Sequence, residues 1–127
     1  MSAFDDLASI SPHAVWNGVR ARAVEGERTT FAVVELDPGT VVPEHAHENE
    51  QVGVLVSGRL RFRIGDEVRD LEPGGTWAIP PNAPHEVEAG PEGAVAVEVF
   101  APGRSDWAAL ERLEPSVPEW PVRDGRV

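Results

Sequence analysis

Apolar and polar positions alternate with a period of two along most of this chain, and a helical period appears in a single stretch. Val19 to Val24, Thr29 to Leu36, Gln51 to Val56, Arg59 to Ile64, Thr76 to Ile79, His85 to Ala89 and Ala94 to Phe100 read as short strands rich in valine, phenylalanine or threonine. Turn residues separate them, among them Asp37-Pro38-Gly39, Ser57-Gly58, Gly65-Asp66, Pro73-Gly74-Gly75 and Ala89-Gly90-Pro91. Short strands with closely spaced turns predict an all-β fold, an antiparallel sandwich or barrel. The helical stretch starts at Ser105 as N-cap and runs through Trp107, Leu110 and Leu113 until Pro115 stops it. Ser116 to Val127 then form an arm, which either packs through Trp120 or has no fixed structure. The expected organisation is one domain over residues 1–127, with an N-terminal arm over 1–18, a barrel over about 19–101, and the helix and arm over 102–127.

A length of 127 residues with 41% hydrophobic content suits one domain with its own core. No apolar run approaches the roughly 20 residues of a membrane span. The opening MSAFDDLASI carries two aspartates where a secretory signal needs positive charge, so a cytoplasmic location is expected. Cysteine is absent, which removes disulfides, thiolate metal sites and thiol nucleophiles together. Net charge is -11, with 22 acidic residues against 11 basic ones, a field that repels nucleic acid. Arg59, Arg61 and Arg63 alternate with Leu60, Phe62 and Ile64, which puts the arginines on one solvated strand face rather than in a nucleic-acid stripe. The expected partner is a small molecule, with neither nucleic acid nor membrane.

The candidate chemistry sits in the histidines. His45 and His47 are two apart, so in extended chain they share a face, and Gln51 follows four residues later. His85 comes after the rigid lead-in Pro80-Pro81-Asn82-Ala83-Pro84. Three imidazoles and an amide oxygen can thus converge on one centre, a donor set suited to a transition metal. Alternation also puts Ala94, Ala96, Glu98 and Phe100 on one face, small residues followed by an acid and an aromatic, the make-up of a cavity wall. His13 reads as a surface residue, and Trp16, Trp77, Trp107 and Trp120 as packing anchors. Val52, Val54 and Val56 face away from Gln51, apolar where a single-layer barrel should be wet, which predicts cover by the terminal arms or a partner subunit and hence a homodimer.

Gly39 to Gly58 resembles the first motif of the cupin family: a glycine, five residues, His-x-His, three residues, a usually acidic position and, after six more, a glycine. Gly75 to His85 resembles the second. The resemblance implies a double-stranded β-helix, or jelly-roll, barrel with one divalent transition metal per chain on His45, His47, Gln51 and His85. Nickel, zinc, iron, manganese and copper all suit such a site. Gln51 replaces the usual acid, so the site would keep a formal charge of +2, a stronger Lewis acid and a better partner for an anion. Asn82 stands where the second motif has glycine and tolerates the left-handed backbone a turn needs there, while Ala89 replaces its final asparagine.

From Gly39 to Trp107 the chain further resembles the small KdgF-like cupins of pectin and alginate breakdown, which open unsaturated uronates. The stretch Glu98-Val99-Phe100-Ala101-Pro102-Gly103-Arg104-Ser105-Asp106-Trp107 carries that likeness. It implies that Glu98 stands in for a catalytic aspartate, Phe100 is a pocket aromatic, and Arg104 meets the substrate carboxylate. Glutamate is longer by a methylene, which displaces a proton-transfer group by about an ångström. A metal-dependent oxygenase acting on a small enol or phenol, an isomerase or cyclase with a more apolar pocket, and a non-catalytic binding module are the alternatives that the same barrel can host.

Overall fold

The computed structural model describes residues 2–122. Eight strands follow in order: β1 (His13–Trp16), β2 (Val19–Glu25), β3 (Thr30–Leu36), β4 (Val41–His45), β5 (Glu50–Ile64), β6 (Glu67–Leu71), β7 (Thr76–Ile79) and β8 (His85–Ala101). All pairings are antiparallel. The long strands β5 and β8 run alongside each other and each serves two layers. One layer is β1-β2-β3, the C-terminal half of β8, the N-terminal half of β5, then β7; the other is β4, the N-terminal half of β8, the C-terminal half of β5, then β6. The result is the expected jelly-roll barrel.

Two stretches that read as turns are bends inside these long strands. Register shifts lie between Leu55 and Ser57 and between Gly58 and Leu60. Gly58 has φ 79, and a side chain there would run into the Gly93 carbonyl, so glycine alone lets β5 turn the corner. Opposite it, residues 90–93 of β8 have no register partner. Inside, alternation sends Leu55, Leu60, Phe62, Ala94, Ala96 and Phe100 into one apolar core. Outside, Arg59, Arg61 and Arg63 pair with Glu72, Asp70 and both Glu44 and Glu86. No helix among the described residues is long and apolar enough to cross a membrane.

The C-terminal segment departs from expectation. Instead of a helix reaching Leu113, a single 3-10 turn spans Ser105–Ala109. Past it the chain extends along β1: Ala14 N–H donates to the Glu111 carbonyl (3.0 Å) and Leu113 N–H to the Pro12 carbonyl (2.7 Å). Backbone groups that a helix would pair internally find strand partners instead. His13, expected at the surface, is buried with its ring 5.9 Å from that of Trp107.

The arm that follows is fastened to the outside of β2 and β3. Arg22, 1% exposed, pairs with Glu35 at 2.9 Å and donates to the Ser116 carbonyl and hydroxyl, while Glu119 N–H donates to Glu35 (2.7 Å). Trp120 is only half buried, so Ser116 and Glu119 hold the arm. Residues 123–127, the end of that arm, lie outside the described residues. Arg22→Ala leaves the Glu35 carboxylate buried without its main countercharge, and a loss of about 3 kcal/mol in urea unfolding is expected.

Candidate metal centre

His45 ends β4 and His85 begins β8, and the two are register partners; His47 lies in the turn between β4 and β5. Their ligand atoms all lie within 4.8 Å of one another. Ring centroids are 4.2 Å apart for His45 and His85, 5.0 Å for His47 and His85, and 5.7 Å for His45 and His47. Each ring is oriented in the same way. Nδ1 of His45, His47 and His85 sits 2.8, 2.9 and 2.9 Å from the carbonyls of Pro43, Asn49 and Ala83. A carbonyl only accepts, so Nδ1 carries the proton and each Nε2 lone pair is left for the centre.

Gln51 completes the group. Its amide nitrogen donates to Glu98 Oε1 (2.5 Å), which turns its oxygen to within 3.1 Å of His47 Nε2. Two acceptors then face each other, and the buried Nε2 of His85 has no partner at all. A cation satisfies all three groups, so His45, His47 and His85 could hold a metal ion with Gln51 beside them. Asn82 takes the left-handed conformation expected of it, φ 65, and its N–H donates to the His47 carbonyl (2.7 Å).

Burial drives the His85 pKa down to about 4, with His45, His47 and Arg104 adding to the effect against the Ala83 contact. Burial, then Arg104, also lowers that of His47. Both rings are therefore neutral, the ligating form, at neutral pH. A two-dimensional NMR titration of the metal-free protein should show His85 uncharged until about pH 4. Since an unfolded histidine titrates at 6.5, the stability from neutral His85 is complete above that pH and is lost as pH falls toward 4.

Behind Gln51 lies Glu98, 7% exposed, whose Oε1 also accepts from Trp77 Nε1 (2.9 Å). Burial raises its pKa, against the pull of Gln51, Trp77 and Arg104. Trp77 is thus more than a packing anchor. It reaches Glu98 because Gly53 leaves room: a Cβ there would lie 2.7 Å from the indole. Phe100 is buried edge-on to His47, with centroids 6.0 Å apart. The Arg104 guanidinium lies over the rings of Phe100 (4.9 Å) and Trp107 (4.8 Å), and its Nε and Nη2 donate to Asp106.

Asn49 holds this loop in place, donating to the carbonyls of Pro102 (2.7 Å) and Gly103 (3.2 Å). Its role was not legible in the sequence because it acts on backbone atoms more than 50 residues away. Inward from His45, Glu98 and Phe100 runs a cavity of about 80 Å³ with an apolar floor that includes Val34, Leu36 and Phe62.

The profile of the cupin domain matches residues 32–100. H2HPP isomerase of Bacillus subtilis is 34% identical over 70 residues, which is 54% of this chain and 30% of that protein's length. Among solved structures, an RmlC-like cupin from Shewanella frigidimarina NCIMB 400 superposes with a TM-score of 0.77 at 20% identity, covering 84% of this chain and 96% of the other. KdgF from Halomonas sp. superposes at 0.75 and 25% identity, covering 84% and 98%.

Proposed function

We propose for this chain, which belongs to the cupin family, a metal-dependent proton transfer that opens 4,5-unsaturated uronates to the linear ketone. One observation carries the reading: a single amide, that of Gln51, touches both His47 Nε2 and the buried carboxylate of Glu98. A proton-transfer group is thereby held next to the position a metal would take. When bound there, a divalent ion, whether nickel, zinc, iron, manganese or copper, would stabilise oxyanion charge as a Lewis acid.

The residues of the chain do the rest. Glu98 takes the proton from the anomeric hydroxyl as the bond from C1 to the ring oxygen breaks, and delivers a proton to C4 as C5 becomes a ketone. Nothing is gained or lost overall, so the reaction is an isomerisation. Burial raises the pKa of Glu98, which suits a group that must both accept and give a proton. Arg104 anchors the substrate carboxylate through Nη1 or by exchange with Asp106, and Phe100 walls the ring.

The test is loss of enol absorbance from 4,5-unsaturated galacturonate, above the uncatalysed rate and dependent on bound metal. A second reading, isomerisation of a small enol or keto acid with a hydrocarbon body, draws on the apolar cavity floor and the likeness to an isomerase. Oxygen uptake would instead point to an oxygenase, and binding without turnover to a sensing module.

We also infer a homodimer. Val52 (40% exposed) and Val54 pair with Val99 and Val97 on the outer face, and Phe31 and Val24 continue the patch. Sedimentation as a strict monomer would remove that inference.

A further inference from the structure

We propose that Trp16, from the N-terminal strand, is a substrate-facing residue that selects carboxylates whose neighbouring ring carbons are planar. The proposal deepens the proton-transfer reading above and rests on it for the nature of the site.

Trp16 lies outside both histidine motifs and outside residues 32–100. It closes β1, and the register of β1 on β2 shifts between Ala14 and Trp16. Irregularities of this kind re-aim a side chain. Here the shift, followed by the Asn17-Gly18 turn, brings the indole against His45, with centroids 5.5 Å apart and planes at 52°. His45 is in turn 4.2 Å from His85, so the indole abuts the three-histidine group itself.

Exposure separates Trp16 from its counterparts. It is 40% exposed, whereas Trp77 is 7% and Trp107 3% exposed. All three line the same cavity with Glu98 and Phe100. Trp77 and Trp107 have their partners, Glu98 for the first and Phe100 and Arg104 for the second. Trp16 alone of the three is exposed, and it lines the cavity beside His45. An aromatic face held there stacks against a planar, unsaturated ring better than against a puckered one. The 4,5-unsaturated end of a uronate and the enol of a keto acid both present such a face.

The experiment is calorimetric titration of the purified protein, with its own bound metal, using furan-2-carboxylate and its saturated counterpart oxolane-2-carboxylate. The wild type should bind the planar acid roughly 5-fold more tightly. Trp16→Ala should lose that preference with metal content unchanged, and Trp16→Phe should keep part of it. Equal binding of the two acids by the wild type, a preference that survives in Trp16→Ala, equal weakening of both acids, or no binding of either would overturn the assignment. Preference without turnover of unsaturated galacturonate would leave Trp16 in its role and remove the uronate reading instead.

Discussion

His47→Ala should strip the chain of its metal while leaving the barrel folded. The ring is one of three whose Nδ1–H is tied to a carbonyl, so the variant deletes one Nε2 donor and leaves His45 and His85 oriented as before. It also removes the group facing the Gln51 amide oxygen. If about 10–16 kcal/mol of metal binding is shared among four ligands, each is worth about 3 kcal/mol, or roughly 100-fold to 1000-fold in affinity. Metal analysis of the purified variant should therefore find the site empty. A metal-dependent thermal shift supplies a second readout: about 2.7 kcal/mol of stabilisation at a metal concentration 100 times the Kd, present in the wild type and absent in the variant. Retention of full metal content by His47→Ala would mean that the ion sits elsewhere.

Glu98→Gln is expected to do the reverse, keeping the metal and losing the reaction. The substitution keeps the side chain's size, and its amide oxygen can still accept from Gln51 and Trp77, so the wall of the site stays packed. What disappears is the ability to take and return a proton, which is worth about 100-fold to 10,000-fold in rate. A drop in kcat of that order on unsaturated galacturonate, at unchanged metal content, is the expected outcome. Turnover at the wild-type rate would remove Glu98 from the chemistry and leave it as a buried partner of Gln51.

Much of this site was legible in the chain because it follows from spacing and alternation. The His-x-His pair, the proline-rich approach to His85 and the shared face of Ala94, Ala96, Glu98 and Phe100 are all local patterns, and the barrel brings them together. Strands β1, β4 and β6 were harder to see. Pro43 interrupts β4, and every residue of β6 but Leu71 is exposed, so neither shows the half-buried alternation of a strand. Glycines at 58 and 90 suggested turns because a bend within a strand and a turn between strands use the same residue. The helix expected beyond Ser105 lost to backbone pairing with β1, a contact across about 100 residues that no local pattern encodes. The roles of Trp77 on Glu98, Asn49 on the loop before Arg104, and Trp16 on His45 are tertiary in the same sense.

In the proposed reaction the three-histidine centre and Glu98 together move one proton on an unsaturated uronate. The most direct measurement is NMR of the product formed from 4,5-unsaturated galacturonate in D2O by the metal-loaded protein. One deuteron is expected at C4, delivered to a single face of the carbon and faster than the uncatalysed reaction. Deuterium on both faces at the uncatalysed rate would remove the uronate reading.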